Sequence, residues 1–308
     1  MNSAILETPG PHVEVPSRLR DFIQLTRPRI GAMSLVTVAV GYLLGAGNGF
    51  HWHDLFHVLL GTGLVASGAS AVNQWMERSS DARMKRTARR PLPAARLRPG
   101  TVLLFGLALA GAGLGYLYGM LPQGAACLVA AITFTSYILL YTPLKRVTIL
   151  NTVVGAVPGA LPPVIGWAAA RGSVDWKVLS LFTIIFIWQL PHFFAIAWLY
   201  REDYAAGGLR MLPAIDPDGT LTAQVMVGFC VLLIPVSMGP ALLGMTGDIF
   251  LTGSVLLSIY FLVCAMDFRR MRSRDNARFV LKASLYYLLG LMVLLVLDGI
   301  FPIYFLGR

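Results

Sequence analysis

The residues best suited to chemistry in this sequence lie at the end of an apolar stretch. Asn73, Glu77 and Asp81 are spaced four residues apart, so on a helix they share one face over about 12 Å. An amide oxygen and two carboxylates are hard ligands of the kind that Mg²⁺ takes together with phosphate oxygens. Arginines and lysines follow at once, and such cations recognise phosphate. We therefore expect a site for Mg²⁺ and a phosphorylated substrate, with a solvated charged loop as the alternative.

A second apolar stretch ends in a similar way. Glu202 and Asp203 follow a run that contains His192. Two acidic clusters that face one another could hold a diphosphate through two Mg²⁺ ions. Acidic residues also end many ordinary helices, so the pair alone does not decide between the two interpretations.

The composition indicates that membrane helices position these residues. The chain of 308 residues is 56% hydrophobic and 13% charged, against about a quarter charged in soluble domains. This excludes a soluble globule, a disordered chain and a nucleic-acid-binding domain, despite the net charge of +10. Because a spanning helix needs about 20 mainly apolar residues, we predict an all-α polytopic membrane protein. Its nine helices are expected at 30–49, 55–75, 101–120, 122–142, 149–169, 176–198, 222–243, 249–266 and 280–305.

The basic residues predict the orientation of these helices. Twenty-two of the 25 lie in the N-terminal segment or after the second, fourth, sixth and eighth predicted helices, and only Arg171, Lys177 and Arg308 lie on the other side. The positive-inside rule then places the N-terminus in the cytoplasm and the C-terminus outside. The first 29 residues show neither a signal-peptide nor a transit-peptide pattern, which favours a bacterial inner membrane.

Two further patterns concern packing and histidine. Small residues repeat at four-residue steps and predict close helix contacts; they are Gly63, Ser67 and Ala71, Gly111, Gly115 and Gly119, and Gly155 and Gly159. His51, His53 and His57 lie near the external loop between the first two helices. Metal or heme binding is one interpretation of their spacing, and a polar helix entrance opposite the acidic motifs is the simpler one.

These motifs resemble those of the UbiA superfamily of intramembrane prenyltransferases, whose first motif is Asn-x-x-x-Asp-x-x-x-Asp. The chain matches it with Glu77 in the middle position, and this variant is similar to the heme-farnesylating branch of the superfamily. The resemblance covers about residues 20–305. The matching stretches are Met84-x-Arg86-Thr87-x-x-Arg90-Pro91-Leu92, Arg27-Pro28-Arg29, Tyr141-Thr142, Lys145-Arg146, Pro162-Pro163, Pro191-His192-Phe193 and Met211-Leu212-Pro213. The second motif departs from the usual pattern, since it keeps only Glu202 and Asp203 as acids.

The resemblance implies a helix bundle around a central cavity and a Mg²⁺-dependent transferase. The farnesyl group of farnesyl diphosphate would pass to the 2-vinyl group of protoheme IX (heme b), with addition of water, to give heme O and diphosphate. Two Mg²⁺ ions would bridge the diphosphate. The residues implied for catalysis are Asn73, Glu77, Asp81, Asp203, Glu202 and Lys145, of which the first four would also bind the metal. Those implied for the substrates are Arg86, Arg90, Arg146, Arg201 and Arg27 for the diphosphate, and His192, Trp198 and Tyr200 for heme.

The predicted organisation is a cytoplasmic segment at 1–29 and a transferase domain at 30–305, with active-site loops at about 76–100 and 199–221. The lipid bilayer is a partner, a heme A synthase is implied as another, nucleic acid is not expected, and the oligomeric state is left open. Two alternatives remain. One is a UbiA-type enzyme that acts on an aromatic quinone precursor, which Glu77 and Pro191-His192-Phe193 disfavour. The other is a transporter, which does not need acidic clusters on one face and is expected to show an inverted repeat.

Overall fold

The computed structural model describes residues 18–301, and all regular structure in that part is helical. Nine helical stretches of the described chain are long and apolar enough to cross a membrane, the number that was predicted. They are Arg18–Gly49, Trp52–Arg83, Pro99–Met120, Ala125–Leu144, Asn151–Arg171, Trp176–Leu199, Thr220–Leu242, Asp248–Arg270 and Arg274–Ile300. The chain is thus a multi-pass membrane protein. Predictions that concern residues 1–17 and 302–308, Arg308 among them, lie outside the described residues.

The first four spans contain six α-helices and two irregular turns. They are α1 (Arg18–Thr26), α2 (Pro28–Ala46), a 3-10 turn (Gly47–Gly49), α3 (Trp52–Arg83), α4 (Pro99–Met120), α5 (Ala125–Thr135), a π-helix (Ser136–Tyr141) and α6 (Thr142–Leu144). Arg27 separates α1 from α2 in the left-handed region, with φ of 48°. The residue before a proline is disfavoured in the right-handed helical region, so Pro28 explains this break. Part of the N-terminal segment that we expected before the first span is therefore helical.

The other five spans and the segments between them contain nine α-helices and one π-helix. They are α7 (Asn151–Ala160), α8 (Pro162–Arg171), α9 (Trp176–Leu199), α10 (Arg201–Ala206), α11 (Leu212–Ile215), α12 (Thr220–Ser237), α13 (Gly239–Leu242), α14 (Asp248–Arg270), α15 (Arg274–Leu294) and the π-helix Leu295–Ile300. Asp175 caps α9, because its carboxylate accepts hydrogen bonds from the backbone N–H groups of Lys177 and Val178 at 3.0 and 3.3 Å. Ser273 caps α15 in the same manner through the N–H of Asn276.

A line of glycines brings α3 and α4 into close contact. A Cβ atom on Gly68 would lie 2.5 Å from the carbonyl oxygen of Gly106, and one on Gly113 would lie 2.8 Å from that of Gly61. The two glycines on each helix are seven residues apart, the repeat that keeps a contact line facing a partner helix. Substitution at these positions would force the helices apart.

The predicted glycine faces were correct for one helix and wrong for another. Nothing lies within 4 Å of a Cβ built on Gly111, Gly115 or Gly119, so these residues do not pack against a helix. Four-residue steps drift by about 40° per step around a helix of 3.6 residues per turn, whereas seven-residue steps drift by about 20°. A Cβ on Gly155 or Gly159 would meet the side chain of Tyr141 or Gln189, as expected for close packing.

The length of α3 defines two faces of the bundle. Its 32 residues extend about 48 Å. We call the end near Arg83, with residues 84–98, 145–150 and 200–219, the motif face. The end near Trp52, with Gly47–Gly49 and Arg171, is the far face. Residues 76–83 belong to α3 rather than to a loop, and the predicted loop at 199–221 contains α10 and α11.

Candidate active site

The first acidic motif lies on the last turns of α3. The helix ends at Arg83, so Asn73, Glu77 and Asp81 are helical and share one face, as their spacing predicted. Their side chains are buried, with 0%, 6% and 1% exposure. Buried carboxylates are rare unless they are paired or coordinate a metal. A solvated charged loop, the alternative interpretation, is therefore wrong for these three residues.

The π-helix at Ser136–Tyr141 orients the amide of Asn73. The hydroxyl of Thr142 donates to the carbonyl of Tyr137 at 2.8 Å, an i to i−5 contact that accompanies the wide turn. It accepts in turn from Nδ2 of Asn73 at 3.1 Å. The amide nitrogen is thereby fixed, and Oδ1 of Asn73 is buried without a hydrogen-bond partner. Single π-helical turns recur at functional sites.

Lys145 forms a buried ion pair with Glu77. Its Nζ lies 2.6 Å from Oε1 of Glu77, and the two side chains are 12% and 8% exposed. The ammonium also lies over the ring of Tyr141, 4.2 Å from the centroid. Burial lowers the pKa of Lys145, but Glu77, Tyr141 and Tyr137 raise it by more, so the net pKa lies above the usual range. Lys145 therefore remains a cation beside the motif.

Arg90 occupies the equivalent position beside Asp81. Its Nη1 lies 2.7 Å from Oδ2 of Asp81, while Oδ1 is buried without a partner. The hydroxyl of Thr87 donates to the backbone carbonyl of Asp81 at 2.9 Å, which folds residues 84–90 back over the helix end. Burial and then the charge of Arg27 lower the pKa of Arg90, against the opposing effect of Asp81. Arg27 also interacts electrostatically with Glu77, so it belongs to this cluster.

The second acidic segment contacts the loop that follows the first motif. The backbone N–H of Lys85 donates to Oδ1 of Asp203 at 3.2 Å. Arg86 lies over the ring of Tyr200, 5.0 Å from its centroid, and reaches the hydroxyl of Tyr204 at 3.5 Å. Asp203 thus lies at the junction of the two segments.

Three other residues that were predicted for this site have different surroundings from those expected. Glu202 is exposed, and no contact places it in the cluster. Arg201 turns back onto the end of α9, where it donates to the carbonyl of Trp198 at 3.1 Å and lies over that indole at 4.5 Å. Arg146 reaches α3 instead, through the hydroxyl of Ser79 at 3.2 Å and the carbonyl of Met76 at 3.3 Å.

The motif face also contains three positioning contacts that the sequence did not predict. The backbone N–H of Arg210 donates to the carbonyl of Lys145 at 2.7 Å, and the amide of Asn151 donates to the carbonyl of Arg210 at 2.8 Å. Arg83 joins the segments from the other side, since it donates to the carbonyl of Gly207 at 2.8 Å. The basic character of Arg83 and Arg210 was visible in the sequence, but their backbone partners were not.

The three residues expected at heme lie along α9 and just beyond it. Nδ1 of His192 lies 2.7 Å from the hydroxyl of Ser284, and its ring stacks on Trp188 at 5.1 Å. Trp198 is buried, and its indole nitrogen has no hydrogen-bond partner. Tyr200 is 39% exposed at the motif face. His192 thus stacks on Trp188 and uses Nδ1 for a hydrogen bond, so Nε2 is its other ring nitrogen.

The oxygen donors of the first motif fit a hard divalent cation such as Mg²⁺. Oδ1 of Asn73, Oδ1 of Asp81 and Oγ of Ser80 are all buried and without partners, and orphaned acceptors of this kind are costly unless something binds them. The described part of the chain contains no group of three His, Cys, Asp or Glu side chains placed around one metal position. Phosphate oxygens and water must therefore complete any coordination shell, which is the usual habit of Mg²⁺.

The sequence is similar to known proteins over most of its length. The sequence matches the UbiA prenyltransferase family over residues 34–305. It is 46% identical over 292 residues to the protoheme IX farnesyltransferase of Solibacter usitatus (strain Ellin6076), covering 91% of this chain and 99% of that protein. It is 42% identical over 280 residues to the protein of the same name from Salinibacter ruber (strain DSM 13855 / M31), covering 91% and 99%.

Solved structures show the same fold at low sequence identity. A structure of digeranylgeranylglyceryl phosphate synthase has a TM-score of 0.76 at 16% identity, covering 92% of this chain and 98% of that one. A UbiA homolog from Archaeoglobus fulgidus, bound to DMAPP and Mg²⁺, has a TM-score of 0.61 at 14% identity, covering 89% and 100%. The family match spans most of the chain, and the sequence relatives are similar over almost their full length. The chain belongs to the UbiA prenyltransferase family.

Proposed function

We propose that this protein transfers the farnesyl group of farnesyl diphosphate to the 2-vinyl group of protoheme IX, with addition of water, giving heme O and diphosphate. The observation that carries the proposal is the buried cluster of acids and cations at the end of α3. It occurs in a chain 46% identical to a protoheme IX farnesyltransferase. The middle Glu77 of the first motif, whose resemblance points to the heme branch, lies within that cluster.

Asn73, Glu77 and Asp81 would hold one Mg²⁺, and Asp203 with Glu202 would hold or orient a second. Buried acceptor oxygens on Asn73 and Asp81 support the first site, and the approach of Asp203 to Lys85 supports the second. When bound, Mg²⁺ supplies electrostatic stabilisation of the diphosphate as it leaves.

The cations of the cluster would take the diphosphate itself. Lys145 and Arg90 already lie against the motif carboxylates, so they can exchange a carboxylate for a phosphate oxygen with a small movement. Arg86 and Arg146 lie at the exposed edge of the cluster, and Arg27 lies within electrostatic range of Arg90. Arg201 is the remaining candidate, although it contacts the end of α9. Charge that develops on the leaving group meets preorganised donors here.

Loss of diphosphate leaves an allylic cation that must be protected from water until the vinyl carbon attacks. Tyr137 and Tyr141 lie beside the motif with ring centroids 5.4 Å apart, and aromatic faces stabilise cations. We assign these two rings to shielding the cation. Heme would lie against α9, where His192 offers Nε2 and where Trp198 and Tyr200 supply aromatic surface.

We also propose where the protein lies in the cell and which protein uses its product. The motif face would be cytoplasmic in a bacterial inner membrane, with the C-terminus outside, because the basic residues concentrate at this face. Residues 30–305 would form the transferase domain. A heme A synthase would take the product, as the resemblance implies.

One experiment separates this function from transfer to an aromatic quinone precursor. Purified full-length protein in detergent receives farnesyl diphosphate, Mg²⁺ and an equimolar mixture of protoheme and hydroxybenzoate. Mass spectrometry should find farnesyl only on the heme. Farnesylated hydroxybenzoate as the sole product would assign the other function.

A further inference from the structure

A second polar cluster lies at the far face, on the first turns of α3. Nε2 of His57 lies 2.8 Å from Nε2 of His53, and the two rings are 4.0 Å apart between centroids. We call these two residues the imidazole pair. Nδ1 of His53 lies 3.2 Å from Oδ1 of Asp54, and Nδ1 of His57 lies 2.5 Å from the hydroxyl of Tyr116 on α4.

Nδ1 of each ring therefore has a partner on another residue, while the two Nε2 atoms lie next to each other. The carboxylate of Asp54 favours a proton on Nδ1 of His53, which leaves a lone pair on its Nε2. Tyr116 can accept from Nδ1 of His57, which gives the second Nε2 a lone pair as well. In these tautomers the two lone pairs face each other, an arrangement that a cation between them would stabilise. Metal-bound histidines have this pattern, with the other ring nitrogen held by a carboxylate or another oxygen. In the other tautomer of His57, its Nε2–H donates to Nε2 of His53 instead.

The imidazole pair is separate from the transferase cluster. His53 precedes Glu77 by 24 positions on the same helix, which corresponds to about 36 Å along the axis. The side chain of His53 is 71% exposed, so a solute can reach the pair from the far face. Asp54 adds a negative charge at this point, which favours a cation.

We propose that the imidazole pair binds a divalent transition-metal ion through Nε2 of His53 and Nε2 of His57. With bonds of about 2.0 Å, nitrogens at the observed spacing subtend about 90° at the ion, which is the angle of tetragonal coordination by Cu²⁺ or Ni²⁺. The described residues contain no third His, Cys, Asp or Glu side chain in position to join them. Water completes the shell, and the bound ion is exchangeable.

The test uses Cu²⁺ alone as the probe, on untagged full-length protein in detergent. Electron paramagnetic resonance counts the nitrogens bound to copper through their superhyperfine splitting. The wild type should bind one Cu²⁺ with a two-nitrogen pattern, and His57→Ala should lose that pattern. His51→Ala is the matched control, since His51 is on the same exposed segment and outside the pair. His12 and His192 remain in every sample, so their contribution is common to all.

A less disruptive variant tests the same site without the risk that the protein misfolds. Tyr116→Phe keeps both ligands and removes only the hydroxyl that orients His57, so Cu²⁺ affinity should fall about 10-fold to 100-fold. Farnesyl transfer should be unchanged in His53→Ala, which separates this proposal from the transferase function. An unchanged two-nitrogen pattern in folded His57→Ala, or equal loss in His51→Ala, would overturn the proposal.

Discussion

Nζ of Lys145 lies 2.6 Å from Oε1 of Glu77, across 68 residues of sequence. The contact joins the end of α3 to the turn after α6 and places a cation directly on the middle residue of the first motif. Because both side chains are largely buried, the pair is a structural element as well as part of the proposed diphosphate site. In the proposed reaction, substrate binding would exchange this partner for Mg²⁺ and phosphate oxygens.

Lys145→Met should destabilise the protein and stop transfer. Removal of one partner leaves the carboxylate of Glu77 buried without its cation, which costs about 3–5 kcal/mol in buried pairs. Thermal unfolding in detergent measures the loss. Lys282→Met is the control, because Lys282 is exposed and surface substitutions change stability by about 0.5 kcal/mol or less.

The double variant Glu77→Gln with Lys145→Met separates folding from chemistry. Both charges are removed together, so much of the stability should return while transfer stays absent. Wild-type transfer by this double variant would remove the pair from the reaction.

Asp81→Ala should lower turnover by at least about 100-fold, the scale of a lost electrostatic contact in a transition state. Asp21→Ala is the matched control. Asp21 is also buried and paired with an arginine, Arg96, at 2.9 Å, but it lies outside the first motif. Both variants lose a buried ion pair and should lose stability, whereas only Asp81→Ala should lose the rate measured per folded molecule. Equal rates in the two variants would exclude Asp81 from the metal site.

Thr142→Val should weaken Mg²⁺-dependent binding of farnesyl diphosphate without removing a ligand. The hydroxyl of Thr142 accepts from the amide of Asn73, so its loss leaves Oδ1 of Asn73 free to turn away. We expect about a 10-fold to 100-fold rise in the Mg²⁺ concentration needed for half-maximal rate, as for other residues that orient metal ligands. Thr142→Ser keeps the hydroxyl and should restore the wild-type value. Equal Mg²⁺ dependence in the valine and serine variants would contradict an orienting role.

The sequence was sufficient for the parts of this site that depend on helical spacing. Asn73, Glu77 and Asp81 could be placed on one face because a helix repeats at a fixed interval, and the apolar runs predicted all nine spans. The partners of these residues could not be found in that way. Lys145 meets Glu77 because helices that are distant in the sequence pack together. Thr142 reaches Asn73 because of a π-helical turn, which no local sequence pattern predicts. The central cavity and the ligands of the second metal stay predictions.

The glycine patterns failed for a related reason. A four-residue repeat on α4 suggested one contact face, whereas the contact line of α3 and α4 follows a seven-residue repeat through Gly106 and Gly113. Which glycine repeat faces a neighbouring helix depends on the angle at which the two helices cross. A single sequence does not reveal that crossing angle. The far-face histidines show the same limit, since their contact with Tyr116 joins two helices.

His192→Ala should weaken heme binding and leave farnesyl diphosphate binding unchanged. Ser284 holds Nδ1 of His192 at 2.7 Å, so Nε2 is the nitrogen that can meet heme iron or a propionate. Titration of the protein with protoheme, followed by Soret absorbance, should give an affinity at least about 10-fold lower, equivalent to about 1.4 kcal/mol. His51→Ala should titrate like the wild type. An unchanged titration in His192→Ala would restrict this residue to packing.

The most direct test of the central claim is the mass of the heme product. Purified wild-type protein is incubated in detergent with protoheme, farnesyl diphosphate and Mg²⁺, and the porphyrins are analysed by mass spectrometry. The proposed reaction gives a heme heavier by one farnesyl group and one hydroxyl group, formed with Mg²⁺ and not after chelation by EDTA. Unaltered protoheme, under conditions in which a related farnesyltransferase forms product, would contradict it.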